Sequence, residues 1–228
     1  MGVIRIGVLG GTFNPIHFGH LHIARNIREL FSLSQVRFVV ATTPPHKSFA
    51  DVIPFMHRYA MVSLAVAAVP SFIPSLVELE PQASPFSVDT MSKIARCTGG
   101  GKCILYFIAG GDSLLEVRSW RESEKLLKSY NFVFVLRPGT ERPVLADVLP
   151  DDAVPRVRDL TGLKRVQMRR RIAAEDTDEN RIYIVDIGAP DLSATEIRNL
   201  AYTQKSLNRM VPKEVREYIR KLHLYGGR

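Results

Sequence analysis

Five short apolar runs, each ending in glycine, proline or polar residues, constrain this chain most: Val3 to Leu9, Val36 to Ala41, Cys103 to Ala109, Phe132 to Leu136 and Arg181 to Ile187. They lack the alternation of a strand with one wet face, so they predict strands buried on both faces, as in a parallel sheet. Between them apolar residues recur at helical spacing: Leu21, Ile23, Ala24, Ile27, Leu30 and Phe31 after the first run, then a stripe over Phe55 to Ala68. Strand alternating with helix argues for an α/β fold, a doubly wound parallel sheet, closed by C-terminal helices. The last helix starts at Val211-Pro212 and carries Val215, Tyr218, Ile219, Leu222 and Leu224 on its apolar side. Phe72-Ile73 and Leu76 to Leu79 suggest a further strand interrupted by Pro74, and no internal repeat is visible.

The 228 residues suit one domain spanning 1–228, with a basic insertion at about 140–180 that contains Lys164-Arg165 and Arg169-Arg170-Arg171. With 46% hydrophobic residues, order is expected nearly throughout. A formal charge of +8 favours anionic partners. Nucleic acid is not expected, because no aromatic residues interleave with the basic cluster to stack on bases. No apolar run is long enough to span a bilayer, and Cys97 and Cys103 match neither a redox pair nor a zinc pattern, so the expectation is a cytoplasmic protein with free thiols and no membrane partner. A homo-oligomer is left open.

The chemistry concentrates at the ends of the apolar runs, which in an open α/β sheet is the ligand-binding edge. The stretch Gly10-Gly11-Thr12-Phe13-Asn14-Pro15-Ile16-His17-Phe18-Gly19-His20 joins the first strand to the first helix. Its glycine pair is expected to bare the backbone where the chain turns, and His17 and His20 to face an anion near the helix start. A zinc site of His17, His20 and His22 is a poor alternative, since His22 faces away from His20 on a helix. The second run ends in Pro44-Pro45-His46-Lys47, the third in Gly110-Gly111-Asp112-Ser113, the fourth in Arg137-Pro138-Gly139, and the last in Ser193-Ala194-Thr195-Glu196-Ile197-Arg198. Ser193 with Glu196 reads as a capping box, Ser87 as a helix N-cap, Asp112 as a cap or a ribose ligand, and Arg58 as a solvated arginine. Two common phosphate motifs fail. A dinucleotide fingerprint starting at Gly7 meets Leu9 and Thr12 where glycines belong, and the Gly99-Gly100-Gly101-Lys102 turn has Arg96 and Cys103 where Walker A needs glycine and a hydroxyl.

The glycine turn with its H-x-G-H element resembles the nucleotidylyltransferase superfamily signature. The ordered set Pro44-Pro45-His46-Lys47, Gly110-Gly111-Asp112-Ser113 with Trp120, Arg137-Pro138-Gly139 and Ser193 to Arg198 is similar to that of the bacterial nicotinate mononucleotide adenylyltransferase family. Two departures stand out: Ala194 replaces a second serine, and Pro85-Phe86-Ser87 stands where the family has Ser-Tyr-Thr before Val-Asp-Thr. The resemblance implies a Rossmann-like fold and adenylyl transfer from ATP to nicotinate mononucleotide, with Mg2+ carried by the ATP phosphates and no protein metal site. It implies His17, His20 and Lys47 as catalytic. Gly10, Gly11, Thr12, Phe13, His46, Gly110, Asp112, Arg137, Ser193, Thr195 and Arg198 would hold ATP and its phosphates, and Asn14, Ser87, Trp120 and Arg121 the mononucleotide. Transfer to nicotinamide mononucleotide or another phosphorylated acceptor is the nearest rival; a non-catalytic nucleotide- or RNA-binding module is the rival from another class.

Overall fold

The computed structural model describes residues 3–43, 52–80, 84–96, 103–137, 140, 142–175 and 179–226. Its seven strands form one sheet in which every pairing is parallel: β1 (Ile4–Gly11), β2 (Gln35–Val40), β3 (Phe72–Ser75), β4 (Cys103–Gly110), β5 (Asn131–Leu136), β6 (Val157–Asp159) and β7 (Ile182–Asp186), in the order β3-β2-β1-β4-β5-β7-β6. Among the described residues the α-helices are α1 (Phe18–Leu30), α2 (Phe55–Val66), α3 (Ser87–Arg96), α4 (Gly111–Glu116), α5 (Ser123–Ser129), α6 (Leu145–Val148), α7 (Arg165–Ala174), α8 (Ala194–Tyr202) and α9 (Lys213–Lys221). The chain leaves β1 toward one edge and returns to β4 on the other side, so the crevice beyond the C-terminal ends of β1 and β4 is the switch point of the sheet.

The continuous apolar runs are explained by burial on both faces. Along β5, Val133 and Val135 enter one core with Ala24 and Ile27 of α1, Met61 and Val62 of α2, and Val215 and Ile219 of α9. Phe132, Phe134 and Leu136 enter the other with Val88 and Met91 of α3, Leu114 of α4 and Leu126 of α5. The two-residue period of a strand sends alternate side chains to opposite layers, so every residue of β5 must be apolar or internally paired. Asn131, the polar exception, donates to Asn180 at 3.1 Å and accepts from the Arg181 amide at 2.9 Å.

Three expectations change. Only Phe72–Ser75 is strand, with Pro74 tolerated because β3 is at the sheet edge, whereas Val77–Leu79 is a 3-10 turn. Leu222 lies just past α9 and is exposed. The 140–180 region contributes the edge strand β6, bonded to β7, and α7, which Arg165 ties to Asn26 and Glu29 of α1. Much of its basic charge is used internally: Arg158 pairs with Glu175 at 2.6 Å, and Arg142 with Asp159 at 2.9 Å.

The largest correction concerns Arg58, which is 1% exposed rather than solvated. Its guanidinium donates to the carbonyls of Thr12 (2.8 Å) and Ala41 (2.7 Å), with longer bonds to Ile53 (3.1 Å) and Thr42 (3.4 Å). One buried cation therefore fastens the turn after β1 to the chain leaving β2. Replacing it strands several buried carbonyls, each a desolvated acceptor. Arg58→Met should cost about 3 kcal/mol in urea unfolding, with Arg58→Lys recovering only part, because one ammonium can replace the nitrogen shared by Thr12 and Ala41 but not those bonded to Ile53 and Thr42 as well; a loss below about 1 kcal/mol in Arg58→Met would contradict the clamp.

Candidate active site

The turn after β1 is where the sheet meets its chemistry. Gly10 and Gly11 are still strand, in register with Val39 and Val40, and the chain turns only from Thr12. The expected role of the glycine pair therefore changes. A Cβ on Gly11 would stand 3.1 Å from the Phe13 ring, so at Gly11 the missing side chain makes room for that ring. Phe13 has φ 47, an unfavourable left-handed backbone for an aromatic residue. It is held there by burial, edge-on to His20 at 5.0 Å and tilted against Phe38 at 6.0 Å. Its ring supports His20 and does not face the cavity.

His17 occupies the N-cap of α1 with extended backbone, and its amide donates to His20 Nδ1 at 3.3 Å. The two imidazoles stack with centroids 3.7 Å apart and planes 30° from parallel. A Cβ on Gly19 would lie 2.9 Å from His17 Nδ1 and 3.0 Å from its Cε1, which explains the glycine between the histidines. His17 is 7% exposed, and its Nδ1 has no hydrogen-bond partner among the described residues. Burial, with a smaller contribution from the nearby Arg137 charge, lowers its pKa to about 4, so at neutral pH it is an uncharged imidazole. His22 turns away, its Nε2 lying 3.2 Å from the Ile187 carbonyl, and among the described residues no group of three or more His, Cys, Asp or Glu side chains is placed to hold a metal ion. The zinc alternative therefore has no structural support.

The turn is braced from the far end of the chain. Asn14, 2% exposed, accepts from the Tyr225 hydroxyl at its Oδ1 (3.0 Å) and from Arg198 at its carbonyl (3.0 Å). The Phe18 amide donates to the Met210 carbonyl at 2.9 Å. Asn14 is thus part of the framework and does not line the cavity described below. Arg198 also donates to Thr195 Oγ1 at 3.1 Å. Ser193 is the N-cap residue of α8 as expected, but its hydroxyl makes no capping bond, so the predicted box with Glu196 does not form. Arg137 lies 3.8 Å from both Asp112 and Asp191, all three largely exposed, and these residues form the polar flank beside His17. Asp112 is the second residue of α4, and Gly110 takes the cap.

A cavity of about 430 Å³ opens at the switch point. It brings together Gly10, Gly11, Thr12 and Gly110 from the ends of β1 and β4 with Ser87, Trp120 and Arg121 from the segments after β3 and β4. Trp120 meets Phe107 edge-on at 5.7 Å, which steadies an aromatic wall. Ser87 is the first residue of α3, one place inside its expected N-cap position, which Phe86 fills by accepting from the Asp89 and Thr90 amides. Sequence reasoning missed Glu78, which borders the cavity and accepts from the Thr42 amide (2.8 Å) and hydroxyl (3.2 Å) and, at 3.5 Å, from the Thr90 hydroxyl; burial raises its pKa. No local pattern marks the Glu of a Leu-Val-Glu-Leu stretch as half-buried and paired. Tyr225 was missed for the same reason, its partner being distant in sequence. His46 and Lys47, with Pro138-Gly139, lie outside the described residues.

Two outcomes follow from the histidine geometry. Gly19→Ala should push the His17 ring aside and lower kcat by about 100-fold with little change in thermal midpoint; unaltered kcat would show that this contact is unimportant. An NMR titration of His17 should centre near pH 4, and a midpoint near 6.5 would contradict its burial. Because the unfolded chain takes up this proton near 6.5, acidification from there toward pH 4 should drain on the order of 3 kcal/mol of stability, a dependence absent from His17→Asn.

The chain matches the cytidylyltransferase-like family model over residues 8–200. It is 38% identical over 222 residues to a probable nicotinate-nucleotide adenylyltransferase of Geobacter metallireducens, covering 97% of this chain and 98% of the relative. It is 35% identical over 222 residues to one of a Thermoanaerobacter species, covering 97% and 94%. The fold is that of Plasmodium falciparum nicotinic acid mononucleotide adenylyltransferase complexed with NaAD, with a TM-score of 0.68 at 18% identity over 97% of both chains. With a seven-stranded parallel sheet, a histidine-bearing turn at its switch point and relatives of this similarity along nearly the whole length, the chain belongs to the cytidylyltransferase-like family and, within it, to the nicotinate-nucleotide adenylyltransferases.

Proposed function

We propose that the protein transfers the adenylyl group of ATP to nicotinate mononucleotide, forming nicotinate adenine dinucleotide and pyrophosphate. The observation that carries this is the stacked His17–His20 pair at the start of α1, under the charge of Arg137, in a sheet whose β1 and β4 ends open into an aromatic-walled cavity suited to a pyridine ring. The names of the relatives agree with it.

In the reaction a phosphate oxygen of the mononucleotide attacks the α-phosphorus of ATP, and the bond to the β-phosphate oxygen breaks. No protein nucleophile is required, so positioning and stabilisation of charge carry the rate. Phosphates would lie across Gly10, Gly11 and Thr12, where no long side chain intervenes. A neutral His17 can donate one hydrogen bond without the cost of burying a charge, and His20, held by Phe13 and the His17 amide, would donate to the same developing charge. Arg137, Asp112, Ser193, Thr195 and Arg198 would serve the ATP side, together with His46 and Lys47, which follow β2 in sequence. Trp120 and Ser87 would serve the pyridine side. Asp112 and Asp191 are already engaged with Arg137, an arrangement that suits Mg2+ arriving on the ATP phosphates better than a resident metal site. Bound there, Mg2+ would neutralise charge on the departing pyrophosphate.

Pyrophosphate release with ATP and a panel of mononucleotides tests the proposal. Turnover should be greatest with nicotinate mononucleotide, and His20→Ala should lower it at least 100-fold in a protein that still unfolds cooperatively. Preference for the amide, or full activity in that variant, would overturn the assignment.

A further inference from the structure

Nicotinate and nicotinamide mononucleotides have nearly the same shape and differ at one exocyclic group, a carboxylate or a carboxamide. An aromatic wall such as Trp120 cannot tell them apart; only charge and hydrogen-bond polarity can. Among the described residues, the cavity at the switch point carries one arginine, Arg121, and two carboxylates, Glu78 and Glu116. Glu78 is committed inward, its oxygens accepting from Thr42 and Thr90. A substrate carboxylate beside it would be repelled.

Arg121 offers the opposite environment. Its guanidinium lies over the Phe86 ring, 4.7 Å from the centroid, which fixes one face and leaves the in-plane N–H edge available. Its ion-pair partner among the described residues, Glu122, is distant at 4.0 Å and is held more closely by Lys125 at 2.6 Å. Both Phe86 and Arg121 line the cavity beside Trp120 and Ser87. A guanidinium edge matches a carboxylate with two parallel N–H···O bonds. A carboxamide supplies one acceptor and turns an NH2 donor toward the second N–H.

We propose that Arg121, poised on Phe86, is the residue that selects the acid mononucleotide over the amide. The inference rests on the reading that this cavity receives the pyridine ring. It makes acid preference a property of one cation at the cavity mouth, and attraction by a half-exposed arginine should weaken with salt.

The test measures kcat and KM for both mononucleotides at saturating ATP in the unaltered protein, Arg121→Gln and Arg121→Lys. The arginine side chain is 54% exposed, so the variants should keep the thermal midpoint of the parent. The acid-to-amide ratio of kcat/KM should fall about tenfold in Arg121→Gln, carried by KM for the acid, and recover in part in Arg121→Lys. It should also fall in the unaltered protein as salt rises. An unchanged ratio in Arg121→Gln, or equal losses on both substrates, would overturn the role of Arg121 while leaving adenylyl transfer standing. Failure of the unaltered protein to use nicotinate mononucleotide would instead overturn the proposed function, and this inference with it.

Discussion

A single buried guanidinium holds the working edge of this sheet together. Parallel strands give their C-terminal turns no direct partner once the ladder ends, so the carbonyls beyond β1 and β2 need a donor from elsewhere. Arg58 reaches them from α2, bonding Thr12 and Ala41 with one nitrogen and Ile53 and Thr42 with the others. Burial pulls its pKa below the ordinary arginine value, and the negative charge of Glu78 offsets part of that. Glu78 in turn grips Thr42, so the chain leaving β2 is held from two sides. The last described residues before position 44 are therefore set by the same charge that fixes the glycine turn.

The turn between β1 and α1 adjoins two different environments. The exposed Arg137, paired with Asp112 and Asp191, acts on His17 through its charge. Where β1 and β4 end, Trp120, Phe107 and Phe86 wall a recess that Gly10, Gly11 and Thr12 also line. Of the two stacked histidines in the turn, His17 is uncharged because it is buried, and the C-terminal segment pins the turn through Tyr225.

Much of this was legible in the sequence for physical reasons. Runs such as Phe132 to Leu136 are apolar at every position because both faces are covered, and that pattern is local. The H-x-G-H element is readable because Gly19 is demanded by the His17 ring above it. What escaped is non-local or depends on burial. Arg58, Glu78 and Tyr225 occupy stretches with ordinary composition, and their partners lie on other elements. β6 is three residues long and takes its strand character from β7. Ser193 and Glu196 have the spacing of a capping box, yet no capping bond forms, since spacing fixes neither side chain's direction.

The role proposed for this turn is to position two substrates for one displacement, with the histidines as donors and not as nucleophiles. ATP made chiral at the α-phosphorus by sulfur substitution tests it most directly. A single in-line attack by the mononucleotide phosphate predicts inversion of configuration in the dinucleotide product. Retention would require two displacements through an adenylylated side chain, with His17 or His20 the first suspects, and would rule out direct transfer.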